Sequence, residues 1–250
     1  MQKFNLTVGA IFKNESHSIK EWLEHYLFHG VQHFYLLNDS STDNFLDIIQ
    51  PYIDEGFITL FNISCEYYLG RQKDMYNKYI LPRIKETKWL LMVDLDEYAW
   101  SPQYINLNEL LNICNHLGQI QICNYMFGSN GYIIQPDKIV TNFIKRGKDI
   151  INCYKYIVNS EYEFSSLNVH HATFVNKEHE KNNFLILINE IFINHYSCQS
   201  KNFWIEVKMT RGDSDNYYVR NMEHFDILDK NDVEDIRLLE QNKNIKYIIP

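Results

Sequence analysis

The segment Trp89-Leu90-Leu91-Met92-Val93-Asp94-Leu95-Asp96-Glu97-Tyr98 constrains this chain more than any other. Five apolar residues run into three acids interrupted by a single Leu. A run this dense and short predicts a buried strand covered on both faces. Acids at the C-terminal end of such a strand fall in the crevice where open α/β sheets bind ligands. If the strand continues, alternation puts Asp94 and Asp96 on one side and Leu95 on the other. Paired carboxylates with a third beside them call for a cation. Oxygen ligation suits Mg²⁺ or Mn²⁺ shared with substrate phosphates. An acidic loop capping the next helix is the plainer alternative, and the strand context favours a site.

The first half reads as alternating strands and helices. Residues 5–12 form a strand. Ile19, Trp22, Leu23, Tyr26 and Leu27 then share a helical face that Gly30 is placed to end. Residues 33–37 form a second strand. Asp43 is placed to cap a helix carrying Phe45, Leu46, Ile48 and Ile49, in which Pro51 kinks the helix or opens a new turn. Residues 57–63 give a third strand, and a helical stretch over residues 70–81 leads to the strand at 89–93. Strands separated by helices of this length predict β-α-β units and an α/β fold with a mostly parallel sheet. The second half is less regular, with no repeat and no Pro/Gly-rich linker. One domain over 1–250 is expected, with 1–100 as the binding half and 101–250 as a decorated second half.

Composition removes several function classes. A net charge of −8 gives no basic field for nucleic acid. Five dispersed Cys without a C-x-x-C read as reduced thiols. No apolar run is long enough to span a membrane, and the first residues lack a signal-peptide core. The expectation is a soluble, cytoplasmic protein, in the host cytoplasm if the source is viral. The formal glycosylation sequons at Asn5, Asn14 and Asn62 then read as chance in an Asn-rich chain.

Polar clusters recur where the strands should end: Lys13-Asn14-Glu15, Asn38 through Asp43, Arg71-Gln72-Lys73 and Asp94-Leu95-Asp96. In a parallel sheet these ends converge. Asp39 could accept from a base N–H, and Arg71 or Lys73 could neutralise phosphate. Each cluster alone is most often a cap, a turn or a solvated face. Their common placement is the argument.

These residues also carry a resemblance. Lys13-Asn14-Glu15, Glu21 through Tyr26, Gly30-Val31, His33-Phe34-Tyr35 and Asp39 through Asp43 resemble the opening of glycosyltransferase family 92 and of related family 2-like enzymes. Arg71-Gln72, Trp89 through Tyr98, and Phe127-Gly128-Ser129-Asn130-Gly131 with Gln135-Pro136 are similar to the family's next blocks. So are Lys155-Tyr156-Ile157-Val158, His170-His171, Asn194-His195-Tyr196, Ser200, Lys208 and Arg211-Gly212-Asp213. The resemblance runs in order over about residues 5–215. It implies a GT-A fold, a Rossmann-like mixed and mostly parallel sheet flanked by helices. It also implies a nucleotide-sugar donor (a UDP-sugar first, galactose as a family-level guess) and a glycan or other hydroxyl acceptor. Asp94 would face the ribose or the metal, and Asp96 the metal and diphosphate. His195 would complete the metal set, tilting it to Mn²⁺ over Mg²⁺. A buried, hydrogen-bonded His beside a strand is the plainer reading of His195. The absent signal and anchor depart from many eukaryotic members and fit a soluble bacterial or viral enzyme.

Asn130-Gly131 favours positive φ and predicts a tight hairpin. Ser129 and Asn130 could also offer hydrogen bonds to acceptor hydroxyls, with Tyr125, Phe127 and Tyr132 stacking on sugar rings. Aromatics in such a place more often belong to the core. His170 and His171 alternate sides and read as structural. Inversion, which the resemblance implies, needs one base. Asp213, Asp215, Glu206 and Glu97 are the candidates, and Glu97 reads equally as a partner supporting the acids. Ser200, Lys208 and Arg211 could contact phosphate from a closing segment. If residues 201–210 are helical, Lys208 and Arg211 share a face. Two other readings compete with a metal-dependent glycosyltransferase. A metal-dependent phosphohydrolase would want a second acid cluster, and a catalytically silent carbohydrate-binding protein would keep the scaffold alone.

Overall fold

A computed structural model describes residues 2–66, 68–210, 212–213, 216–246 and 248, with side chains for all of these but Cys153, Asp213 and residues 216–218. An eight-stranded sheet forms the centre. Its strands are β1 (Phe4–Phe12), β2 (His33–Asn38), β3 (Ile58–Asn62), β4 (Thr87–Met92), β5 (Glu97–Trp100), β6 (Gln119–Met126), β7 (Ile151–Asn159) and β8 (Phe184–His195). They lie in the order β3-β2-β1-β4-β7-β6-β8-β5.

β1 is parallel to both β2 and β4, and β2 to β3. β7 runs antiparallel to β4 and to β6, so β6 points the same way as β4. β8 is parallel to β6, and β5 returns antiparallel on the edge. Six of the eight strands therefore share one direction, and their C-terminal ends meet along one rim. The expected α/β architecture with a mostly parallel sheet is what the chain adopts. The sheet runs through both halves of the sequence.

The strands are apolar because both faces are covered. On one face α1 (Ile19–Phe28), α2 (Phe45–Asp54) and α3 (Leu107–Ile113) pack Trp22, Tyr26, Ile49, Tyr52 and Leu110 against Leu6, Val8, Phe34, Leu36 and Leu91. On the other, the helical stretch 71–86 and the hairpin Phe164–Leu167/Ala172–Phe174 cover Tyr35, Leu37, Leu90, Met92, Tyr156 and Val158. Burial of a Leu, Val or Phe in such a position contributes about 1.5–3 kcal/mol each. Gly30, at φ +92, ends the turn after α1 as expected.

Several local expectations need correcting. β4 stops at Met92, so Asp94 and Asp96 sit on the turn between β4 and β5 and not on an extended strand. Asp43 caps nothing: the residue before α2 is Asn44, and Asp43 Oδ2 instead accepts Ser16 N–H at 2.8 Å, tying two strand-end loops together. Pro51 lies inside one continuous helix. The helical stretch after Gly70 is α-helical over Arg71–Met75, then π over Tyr76–Ile80, then 3₁₀ over Leu81–Glu86, where Pro82 takes an early position.

Asn130 and Gly131 do take positive φ, +53 and +79. They build no tight hairpin, because the strand that pairs antiparallel with β6 is β7, which begins only at Ile151. The loop instead packs on a later segment. Added bulk at Gly128 would meet the Lys230 carbonyl and the Asn231 side chain. Ser129 N–H and Oγ–H both donate to Asp229, and Asn130 N–H donates to Asn231 Oδ1 at 2.9 Å.

Candidate active site

The acid turn is held from several sides. Trp22 Nε1 donates to the carbonyls of Asp94 (3.1 Å) and Glu97 (3.0 Å). Tyr26 Oη donates to the Glu97 carbonyl at 2.9 Å and accepts Ala99 N–H at 2.9 Å. At the end of β8, Tyr196 N–H donates to the Asp96 carbonyl at 2.8 Å. The Glu97 carboxylate accepts Asp94 N–H at 2.9 Å. The apolar face of α1 thus does two jobs: it fills the core, and two of its aromatic heads fix the backbone that carries the acids.

The side chains form one ionic cluster. Lys155 Nζ lies 2.7 Å from Asp94 Oδ2 and 3.6 Å from Glu97 Oε2. Lys208 Nζ lies 2.6 Å from Asp96 Oδ2. His195 stands opposite Glu97 in the β8–β5 ladder, with Nε2 3.5 Å from Asp96 and Nδ1 3.7 Å from Glu97. Gln72 Nε2 donates to Tyr76 Oη at 2.6 Å and approaches Asp94 Oδ1 at 3.4 Å.

Burial and neighbouring charge pull these groups in opposite directions. Burial alone would raise the Asp96 carboxyl, but Lys208 and His195 outweigh it and hold the group well below the usual carboxylate range. Burial would lower His195, but Asp96 and Glu97 outweigh it and raise the imidazole above its ordinary value. Burial would lower Lys155, but Asp94 and Glu97 raise it well above an ordinary lysine. For Glu97 burial wins over Lys155 and lifts the carboxyl from 4.5 to about 7.

The Glu97 shift sets a pH dependence. A carboxyl raised on folding makes the native state hold more protons than the unfolded one between the two values. Stability from this group therefore falls as pH rises from 4.5 to about 7 and is flat above. Glu97→Gln keeps an oxygen for Asp94 N–H and removes the charge. The Tm difference, variant minus wild type, should climb across that window in parallel melts; a constant difference would show that Glu97 carries no such penalty.

The other expected residues fall along the same rim. Asp39 follows β2 and accepts both terminal nitrogens of Arg71, which is buried; Arg71 Nη1 lies 2.8 Å from Asp39 Oδ2. Asn14, at φ +55, clasps the loop after β2: its N–H donates to Ser41 Oγ at 3.0 Å, and its Oδ1 accepts Thr42 N–H at 2.8 Å. Glu15 is buried, and its carbonyl accepts Ser18 and Ile19 N–H at the start of α1. Lys13 lies half-buried beside them. Ser40 and Gln199, like Asn14 and Asn130, take positive φ just past a strand end, a clustering typical of functional rims.

Other candidates have local duties. Asn130 Oδ1 accepts Ile144 and Lys145 N–H. With Ser129 bound to Asp229, neither side chain is turned to an acceptor. Phe127 is core, while Tyr125 lies under the Arg146 guanidinium, 3.9 Å from its ring centre. Ser200 caps the helix Lys201–Glu206 through Phe203 N–H at 3.1 Å. His170 Nδ1 bonds the Tyr154 carbonyl at 2.9 Å, a structural role as expected. Lys208 lies on a 3₁₀ turn after the helix rather than on it. Arg211 and Asp215 fall outside the described residues, as does the side chain of Asp213. Glu97 is 1 % exposed and lies behind the acids, with its carboxylate accepting Asp94 N–H.

The expected cation set of Asp94, Asp96 and His195 is not assembled. Among the described residues no group of three or more His, Cys, Asp or Glu is placed to hold a metal ion. Asp94 is turned to Lys155 and Asp96 to Lys208, so the residues as arranged do not fit a divalent cation. Lys155 was legible only as part of a family block; its signal was a lone Lys within an otherwise apolar strand. Trp22, Tyr26 and Asp229 gave no sign of their roles, because their partners are distant in sequence.

Among the described residues no helix is long and apolar enough to cross a membrane. A glycosyltransferase family 92 protein of Ricinus communis is 23% identical over 142 residues, which is 54% of this chain and 25% of the relative. A second match to a protein of the same description is 22% identical over 152 residues, 56% of this chain and 26% of the relative. The chain thus spans about a quarter of the length of these relatives. Among solved structures, S. aureus TarS 1-349 in complex with UDP-GlcNAc is 15% identical with a TM-score of 0.47, covering 95% of this chain and 70% of that one. HddC from Yersinia pseudotuberculosis is 12% identical with a TM-score of 0.43, covering 76% and 92%. Overlaps this low add nothing to what the sheet topology already shows. The model of the family described as Glycosyltransferase family 92 matches residues 3–236, nearly the whole chain, and the chain belongs to that family.

Proposed function

We propose that this chain transfers a sugar from a nucleotide-sugar donor, a UDP-sugar, to a hydroxyl group of a glycan or similar acceptor, with inversion. One observation carries the reading: the Asp39–Arg71 pair, the Asp94–Lys155 pair and the Asp96–Lys208 pair all stand at the C-terminal rim of the strands that share a direction. That rim is where an open α/β sheet takes a ligand.

In this reading Asp39, steadied by Arg71, meets the nucleobase. A carboxylate has about four lone-pair positions, so the two that Arg71 occupies leave room for a base N–H. Asp94, with Gln72 beside it, faces the ribose side. Lys208 faces the diphosphate and opposes the charge that grows there as the bond to the sugar breaks. The second half forms the acceptor side, where Tyr132 is partly exposed. The base belongs to the region after Lys208, with Asp213 the first candidate.

A thermal-shift screen of nucleotide sugars tests the donor class. A ligand at 100 times its Kd adds about 2.7 kcal/mol, which for a chain of this size raises Tm by roughly 5–10 °C. UDP-sugars should give that shift. A flat response to every nucleotide sugar would contradict the reading.

A further inference from the structure

The acids of the Asp94-Leu95-Asp96 motif and the cation expected there disagree in a specific way. Each acid already has a cation, and each is a buried lysine. Lys155 is 2% exposed and Lys208 5%. Lysines are almost never buried unless paired, so these positions are chosen by the acids they meet.

The two lysines arrive differently. Lys155 stands in the middle of the sheet, on β7 between β4 and β6, and cannot move without the sheet. Lys208 stands on the three-residue 3₁₀ turn Lys208–Thr210, beyond the six-residue helix Lys201–Glu206. Its ammonium meets Asp96 at 2.6 Å and the face of Phe203, 5.6 Å from the ring centre. An ammonium has three N–H donors, and Asp96 Oδ2 uses one of them.

We infer that in the free chain Lys155 and Lys208 fill the cation positions of the D-L-D motif, and that Lys208 offers its remaining N–H groups to the diphosphate of the donor. The charges support this. Three carboxylates (Asp94, Asp96, Glu97) face two ammonium groups and the His195 imidazole. At Asp96, which is buried, a divalent cation arriving alone would have to displace the Lys208 ammonium and leave it unpaired, which is costly; at Asp94, which is half-buried, it would have to displace the buried Lys155 ammonium. The acids are thus closed to a free metal ion by the chain itself. The diphosphate part of the inference rests on the donor proposed above, whereas the closure of the acids does not.

The test is a Mn²⁺ titration without nucleotide, read by the electron-paramagnetic signal of free Mn²⁺. Wild type should bind Mn²⁺ weakly. Lys208→Met should bind it about tenfold or more tightly. Lys208→Arg, which keeps a cation on Asp96, should behave as wild type, and so should Lys201→Met, which removes an exposed charge from the same segment. Equal Mn²⁺ affinity in wild type and a folded Lys208→Met would overturn the inference. If Lys208→Met does not fold, Lys155→Met makes the same comparison at Asp94, with the same two outcomes. Calorimetry of UDP in EDTA forms the second arm. UDP should bind wild type and lose about tenfold in Lys208→Met; equal affinity overturns the diphosphate role. Failure of UDP to bind wild type would count against the donor reading, and the Mn²⁺ titration would still decide whether lysines close the acids.

Discussion

Asp96→Asn should lower stability and transfer together. Asp96 is buried, with Lys208 Nζ at 2.6 Å on one oxygen and His195 Nε2 at 3.5 Å from the other. Asn keeps the shape and removes the charge, leaving a buried ammonium and a raised imidazole without their anion. Breaking a buried pair from one side costs about 3–5 kcal/mol, which is a fall in Tm of roughly 6–20 °C for a chain of this size. Transfer should fall by about 10²–10³-fold, the size of losing one preorganised electrostatic group. The double variant Asp96→Asn/Lys208→Met should be destabilised by less than the sum of its parts, because both charges leave together. Thermal melts and a transfer assay check both. A variant with wild-type Tm and turnover would remove Asp96 from the centre of the site.

Asp39→Ala should weaken binding of free UDP as much as of a UDP-sugar, since its proposed partner is the nucleobase. The expected loss is about 1.5–3 kcal/mol, the range for a hydrogen bond to a charged group. The pairing with Arg71 complicates the result and also provides a control. Arg71 is buried, and it touches Cys65 Sγ at 3.4 Å besides Asp39. Removing Asp39 therefore costs stability whatever its role with ligand. Arg71→Ala frees Asp39 from its clamp and leaves its charge. If Asp39 reads the base, Arg71→Ala loses less UDP affinity than Asp39→Ala. Unchanged UDP affinity in Asp39→Ala would show that the pair only braces the loop after β2.

The architecture was legible because it rests on local pattern. Continuous apolar runs marked β1, β2 and β4, and the 3.6-residue spacing of Ile19, Trp22, Leu23 and Tyr26 marked α1. The rim was legible for the same reason: in a parallel sheet, residues just past each strand lie together. What failed was any inference that needed a partner far along the chain. Extending the strand through Asp96 ignored the turn that Trp22 and Tyr196 impose on it. The Asn130-Gly131 turn was recognised from its φ preference, but its packing on residues 229–231 lies a hundred positions away. Asp94 and Asp96 are paired by their spacing, and His195 joins them only through the family resemblance. Lys155 and Lys208, 61 and 112 positions from their acids, decide how that group is arranged.

Sugar transfer is read most directly as nucleotide release from UDP-sugars, followed with and without a panel of glycan acceptors. Sugar transfer predicts UDP release that depends on an acceptor and falls by about 10²–10³-fold in Asp96→Asn. Release of inorganic phosphate without any acceptor would mark a phosphohydrolase. Binding of glycans with no UDP release from any donor would mark a carbohydrate-binding protein, and either result would contradict the transfer proposed here.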